Sequence, residues 1–125
     1  MIIGIGVDTV SIARIEAAWQ RGGERFLHRL FTAAELAYCT GLARPTPSLA
    51  ARFCAKEATM KCLGTGWTDG ITFASIEVVR ATTGAVQLLL HAAANHRARA
   101  LGITHWHLSL THTDTDATAF VVGEG

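Results

Sequence analysis

The residue pattern predicts a mixed domain, helical through its first half and strand-rich through most of its second. Three observations carry that reading. A stretch from about Leu49 to Leu63 is filled with alanines and straight-chain residues and is followed by glycine, as a helix requires. Beyond Gly66 the apolar residues abandon helical spacing for short runs and alternation. Near the C-terminus, Thr104 to His112 alternates cleanly, with Trp106, Leu108 and Leu110 on one face and His105, His107, Ser109 and Thr111 on the other.

The 125 residues, 50% of them hydrophobic, suffice for one compact core, so residues 1–125 are expected to form a single domain. A net charge of +1 supplies no general field toward nucleic acid or an anionic membrane, and neither is expected as a partner. No basic stretch precedes the apolar N-terminal residues, and no apolar run approaches the roughly 18 residues of a membrane span. Cys39, Cys54 and Cys62 are odd in number and follow no zinc spacing. They are expected as buried free thiols of a cytoplasmic protein.

In chain order, Met1 to Val7 reads as a short apolar strand ending on Asp8, with Gly4 and Gly6 permitting close backbone approach. Ile12, Ile15 and Trp19 then keep helical spacing until Gly22-Gly23, which puts Asp8 at a strand-to-helix junction, a common location for ligand groups. The glycines do not form a dinucleotide fingerprint, because Thr9 stands where the third glycine is needed. Phe26, Leu27, Leu30 and Phe31 are core candidates ahead of Thr32-Ala33-Ala34-Glu35, a capping box that starts a short helix. Arg44-Pro45-Thr46-Pro47 reads as a stiff loop, Ser48 as the N-cap of the central helix, and Gly64 and Gly66 as its end. After an Asp69-Gly70 turn, Ile71, Phe73, Ile76, Val78 and Val79 form one predicted strand, and Val86 to Leu90 its hairpin partner. A helix from about His91 to Leu101 is closed by Gly102. The alternating strand turns through Asp114 to Asp116 into a last strand, Ala117 to Val122.

On the central helix, Ala50, Phe53, Cys54, Glu57 and Lys61 share one stripe, so a carboxylate and an ammonium appear where core residues are expected. One reading is an i,i+4 surface pair worth about 0.2 to 0.5 kcal/mol. The other is a partly desolvated Glu57 compensated by a cation or metal. Arg14, Arg21, Arg25 and Arg29 cluster in the first half, only partly offset by Glu16 and Glu24, as a solvated face also would. His105 and His107 lack a third zinc ligand at a recognisable spacing, and the row of Ser, Thr and His suits phosphate contacts or a solvent-facing edge.

Several motifs then occur in a specific order: Gly4-Ile5-Gly6-Val7-Asp8 with Ile12 to Glu16, Arg29 to Thr32 with Glu35, Leu49 to Ala58 with Lys61 and Gly64-Thr65-Gly66, and His107 to His112. In this order they resemble the small bacterial 4′-phosphopantetheinyl transferases, the holo-[acyl-carrier-protein] synthase family, over essentially the whole chain. The resemblance implies an α+β fold with an antiparallel sheet packed against a long central helix. It implies magnesium-dependent transfer of phosphopantetheine from coenzyme A to a serine of an acyl carrier protein, in fatty acid biosynthesis, with release of adenosine 3′,5′-bisphosphate. By the same resemblance Asp8 and Glu57 hold the metal, and Asp8, Glu57 and Lys61 form the catalytic set. Arg52, Lys56, Lys61, Gly64, Gly66, Ser109, Thr111 and His112 are, by this resemblance, the expected contacts of coenzyme A. A homotrimer with sites at subunit interfaces is also implied, as is docking of the carrier's acidic helix on Arg14, Arg21 and Arg25.

The chemistry of the residues agrees, because magnesium takes oxygen ligands, and a metal with Lys61 would offset charge on phosphoryl oxygens. Glu57, through a metal-bound water, is the first candidate for the base that takes the serine proton. The chain departs from the family pattern at Phe53, in the place of a tryptophan, at Cys54, in the place of an alanine, and at Gly84-Ala85-Val86, which lacks a proline. Thr113 follows His112 where some relatives carry an acid. A noncatalytic module that binds coenzyme A or phosphate is the alternative.

Overall fold

The computed structural model describes residues 1–65 and 70–125. It is α+β, and its organising contact is a strand laid directly on a helix. Strand β1 (Ile2–Ser11) alternates faces, so Gly4, Gly6 and Asp8 share the side that meets helix α3 (Pro45–Leu63). A Cβ at Gly6 would lie 1.8 Å from the carbonyl oxygen of Ala58, and one at Gly4 2.6 Å from that of Cys62. No side chain fits there, and the expected close approach is realised.

The rest of the chain builds around that pair. Helix α1 (Ile12–Leu30) is interrupted at Gly23, whose φ of 57° and ψ of −145° break the helical path where the glycine pair foretold it. Helix α2 (Ala33–Thr40) starts on the expected Thr32/Glu35 capping box. Strands β2 (Ile76–Arg80) and β3 (Val86–Leu90) form the expected hairpin, paired from Ile76 with Leu90 to Arg80 with Val86. Helix α4 (Ala92–Leu101) ends at Gly102, φ 83°. Strands β4 (His105–His112) and β5 (Asp116–Glu124) complete an antiparallel sheet of order β1-β5-β4. Cys54 and Ala58 of α3 face the inner side of this sheet, and Leu49, Ala50, Cys54, Ala55 and Ala58 are fully buried, as are Ala117, Ala119 and Val121 of β5.

Four sequence expectations need correction or fall outside the description. Strand β1 does not end on Asp8; Thr9, Val10 and Ser11 continue its pairing with Thr118, Ala117 and Asp116, so Asp8 is an in-strand residue facing α3. Helix α3 begins at Pro45, and Arg44 to Pro47 is not a loop. Proline suits a first helical turn, whose N–H groups lack intrahelical acceptors. Ser48 therefore caps nothing; its hydroxyl accepts from Arg52 Nη1 at 2.7 Å and from Cys39 Sγ at 3.4 Å. Phe73–Ser75 is a 3₁₀ turn rather than strand, because Thr72 and Ser75 exchange side-chain-to-backbone bonds across it. Gly66 and Asp69 lie outside the described residues.

Candidate active site

Alternation on β1 and the helical repeat of α3 bring Asp8, Glu57 and Lys61 together. The ammonium of Lys61 donates to Asp8 Oδ1 at 3.2 Å and to the carbonyl of Val7 at 2.9 Å. Partial burial pushes the Glu57 carboxyl above its usual range, the negative charge of Asp8 pushes it further, and Lys61 offsets part of this. One half-exposed ammonium thus pairs with Asp8 and acts on Glu57 only through its field. Among the described residues no group of three or more His, Cys, Asp or Glu is arranged to hold a metal. Asp8 and Glu57 do present the oxygen donors a hard divalent cation accepts when substrate oxygens and water complete its shell, and their mutual repulsion fits a cation between them.

A cavity of about 470 Å³ opens beside this trio, lined by Asp8 and Glu57, by Arg14, Arg21 and Arg29, and by the rings of Phe26, Phe53 and Phe73. Of the arginines expected at a docking surface, Arg14 and Arg21 line it; Arg25 is exposed but does not, and Arg29 stands there instead. Cys54 lies beneath Asp8, its thiol donating to the carbonyl of Ala117 at 3.3 Å. Burial, then Asp8, pushes its pKa up to about 12, so it is an unreactive filler. Cys39, Cys54 and Cys62 are all free and buried.

A second cavity, of about 390 Å³, gathers Ser48, Arg52, Arg80, Gly84, Thr111 and His112 around Tyr38. The guanidinium groups of Arg52 and Arg80 sit 4.8 and 5.1 Å from the centre of the Tyr38 ring. Arg52 is only 4% exposed, and its Nε has no hydrogen-bond partner. Arg80 and Tyr38 escaped sequence reasoning; the cation-rich environment of a buried arginine is created by packing, not by spacing. Arg52, Thr111 and His112 therefore lie at one cavity and Asp8 and Glu57 at another.

The other expected coenzyme A contacts are placed differently. Gly64 is the left-handed cap of α3, φ 71°. Ser109 faces outward on β4 opposite Phe120 of β5 and lines neither cavity. His107 bonds Glu124 at 2.9 Å, and His105 the hydroxyl of Thr104 at 2.9 Å. Lys56 has no exposed surface: its ammonium is closed in with Glu35 at 2.8 Å and so is not presented to a ligand. Glu35 was visible only as a capping residue; its partner lies 21 positions away and only the fold joins them.

This α+β frame is that of one class of group transferases, and the chain belongs to it. It is a member of the 4′-phosphopantetheinyl transferase superfamily, whose family model matches residues 4–121. The chain is 46% identical to the holo-[acyl-carrier-protein] synthase of Solidesulfovibrio magneticus over 125 residues, covering 100% of both. Its fold is similar to the crystal structure of holo-[acyl-carrier-protein] synthase from Neisseria meningitidis, with a TM-score of 0.91, 34% identity and 100% of both chains covered. It is also similar to the Helicobacter pylori synthase in complex with coenzyme A, with a TM-score of 0.84, 30% identity and 96% and 99% of the two chains covered.

Proposed function

We propose that this chain transfers the 4′-phosphopantetheine group of coenzyme A to a serine of apo acyl carrier protein, releasing adenosine 3′,5′-bisphosphate. The observation that carries the reading is the meeting of Asp8, Glu57 and Lys61 at the mouth of an arginine-rimmed cavity. Asp8 and Glu57 are the residues that would hold Mg²⁺, which when bound neutralises charge on the phosphoryl oxygens. Lys61 adds a positive charge on the same side. Glu57, acting through a water, is the first candidate to take the proton of the attacking serine hydroxyl as the new P–O bond forms and the bond to the nucleotide breaks. The mixed lining of the cavity, arginines around phenylalanines, suits an acidic helix with apolar residues, so Arg14, Arg21 and Arg29 steer the carrier.

Arg52 and His112, with Arg80, form the second anionic subsite, for a phosphate of coenzyme A remote from the reacting one. Among the described residues the two cavities share no lining residue, which supports a coenzyme A site that a partner chain completes. The outer sheet face supports that assembly: Ile5, Val7 and Phe120 are 59%, 50% and 47% exposed, with Val7 paired to Phe120. A homotrimer covers this face and sets each active site at an interface. The chain acts in the cytoplasm, as its free thiols favour, and in fatty acid biosynthesis.

Incubation with coenzyme A, Mg²⁺ and an apo carrier tests the activity directly. The carrier should gain the mass of one phosphopantetheine. Binding of coenzyme A with no gain in carrier mass would leave only a noncatalytic binding module.

A further inference from the structure

Lys56 sits next to Glu57 on α3, yet nothing in the transfer reaction uses it. Its three ammonium protons have three acceptors: Glu35 Oε1 at 2.8 Å, the carbonyl of Phe73 at 2.9 Å, and the carbonyl of Ile76. Two of these bracket the 3₁₀ turn Phe73–Ser75, so the side chain clamps that turn onto α3. Glu35 extends the clamp, its carboxylate accepting from the N–H groups of Thr32 at 2.9 Å and Val78 at 2.9 Å. The starts of α2 and β2 are thereby tied to the same point.

What the clamp holds is a wall of the active site. The ring of Phe73 meets that of Phe53 edge-on, with centroids 5.4 Å apart and planes at 86°, and both rings line the cavity with Asp8 and Glu57. Phe53 and Glu57 are one helical turn apart. A turn that lifted away from α3 would therefore open the cavity beside the reacting groups. A buried ion pair is seldom the most stabilising filling for a core, and its best attested use is to fix one geometry among several. Two directional bonds to the carbonyl groups of Phe73 and Ile76 do what an apolar side chain at position 56 would not do.

Resting on the transfer activity above, we infer that Lys56, held by Glu35, is a positioning residue: it fixes the Phe73 wall against α3 and so sets the pose of the acceptor at Asp8 and Glu57. It acts on turnover and on the carrier, while coenzyme A never touches it. Small misplacements of reacting groups cost about 100-fold in rate, which gives the scale of effect to look for.

The test is the double variant Glu35→Gln/Lys56→Met, which removes both charges together and leaves no unpaired ion in the core. In the presence of Mg²⁺, coenzyme A affinity is measured by calorimetry and turnover by carrier mass, with the wild-type protein alongside. A wild type that modifies no carrier would overturn the transfer reading itself, whatever the variant does. With wild type active, the inference expects coenzyme A affinity within about twofold, kcat for the carrier at least tenfold lower, and loss of the Phe53–Phe73 ring cross-peaks by NMR. Turnover within twofold of wild type would overturn it. So would weakened coenzyme A binding with kcat unchanged at saturation, which would make Lys56 a ligand contact. If the double variant does not fold, Phe73→Leu, which leaves both ionic partners in place, must show the same kcat loss at unchanged coenzyme A affinity; wild-type turnover there overturns the inference.

Discussion

Two neighbouring residues of α3 carry opposite charges into opposite settings. Lys56 is sealed at 0% exposure with every proton accepted, whereas Glu57 faces a cavity beside another carboxylate, and the one ammonium nearby, that of Lys61, bonds Asp8. Burial lowers the pKa of Lys56 and Glu35 opposes that shift; for Glu57 burial and Asp8 both work against charge. The first arrangement is complete within the chain. The second is incomplete within the chain, as suits the cation and phosphate proposed to bind there. Unsatisfied charge, rather than buried charge, is what singles out Glu57 as the proposed functional group on this helix.

The largest loss is expected at the buried pair. Lys56→Ala leaves the Glu35 carboxylate alone in the core and two carbonyl groups without their donor, so stability should fall by about 3 to 5 kcal/mol; chemical denaturation measures it. Asp8→Asn should instead leave the fold intact and lower turnover by about 100-fold or more, read from carrier mass against time. Smaller again, Lys61→Met should lower kcat about tenfold with the melting temperature nearly unchanged, since its contacts are at the surface. The smallest effect belongs to Arg14→Glu, which should raise the carrier KM a few fold, more at low salt, without changing coenzyme A affinity. A Lys61→Met protein as unstable as Lys56→Ala would erase the distinction between the two regions.

How far these two settings could be foreseen from the residues follows the range of the forces involved. The Thr32/Glu35 box, the stop at Gly64, the break at Gly23 and the β2–β3 hairpin rest on contacts within a few residues, and each was legible. The tight approach at Gly6 was legible too, because only glycine tolerates it. The start of α3 was misread because two prolines resemble a loop, although a first helical turn accepts them equally well. The length of β1 was missed because pairing with residues more than 100 positions away decides it. Glu57 stood out as a charge on an apolar stripe. Lys56 did not reveal its structural role, since its partners Glu35, Phe73 and Ile76 come from two distant parts of the chain.

Glu57→Gln tests the central claim most directly, since it keeps the shape of the side chain and removes only its charge. The folded state holds the Glu57 carboxyl above its ordinary value of 4.5, so the protonated form favours folding, and that contribution is lost as pH rises through the displaced value. In metal-free buffer at neutral pH the variant should therefore melt a few degrees above wild type, and the gap should close as pH falls below about 4.5. In a magnesium titration the same variant should show turnover at least about 100-fold lower, with the metal midpoint moved to higher concentration. Activity near wild type at limiting magnesium, with no gain in stability, would contradict the account and reduce Glu57 to a surface neighbour of Lys61.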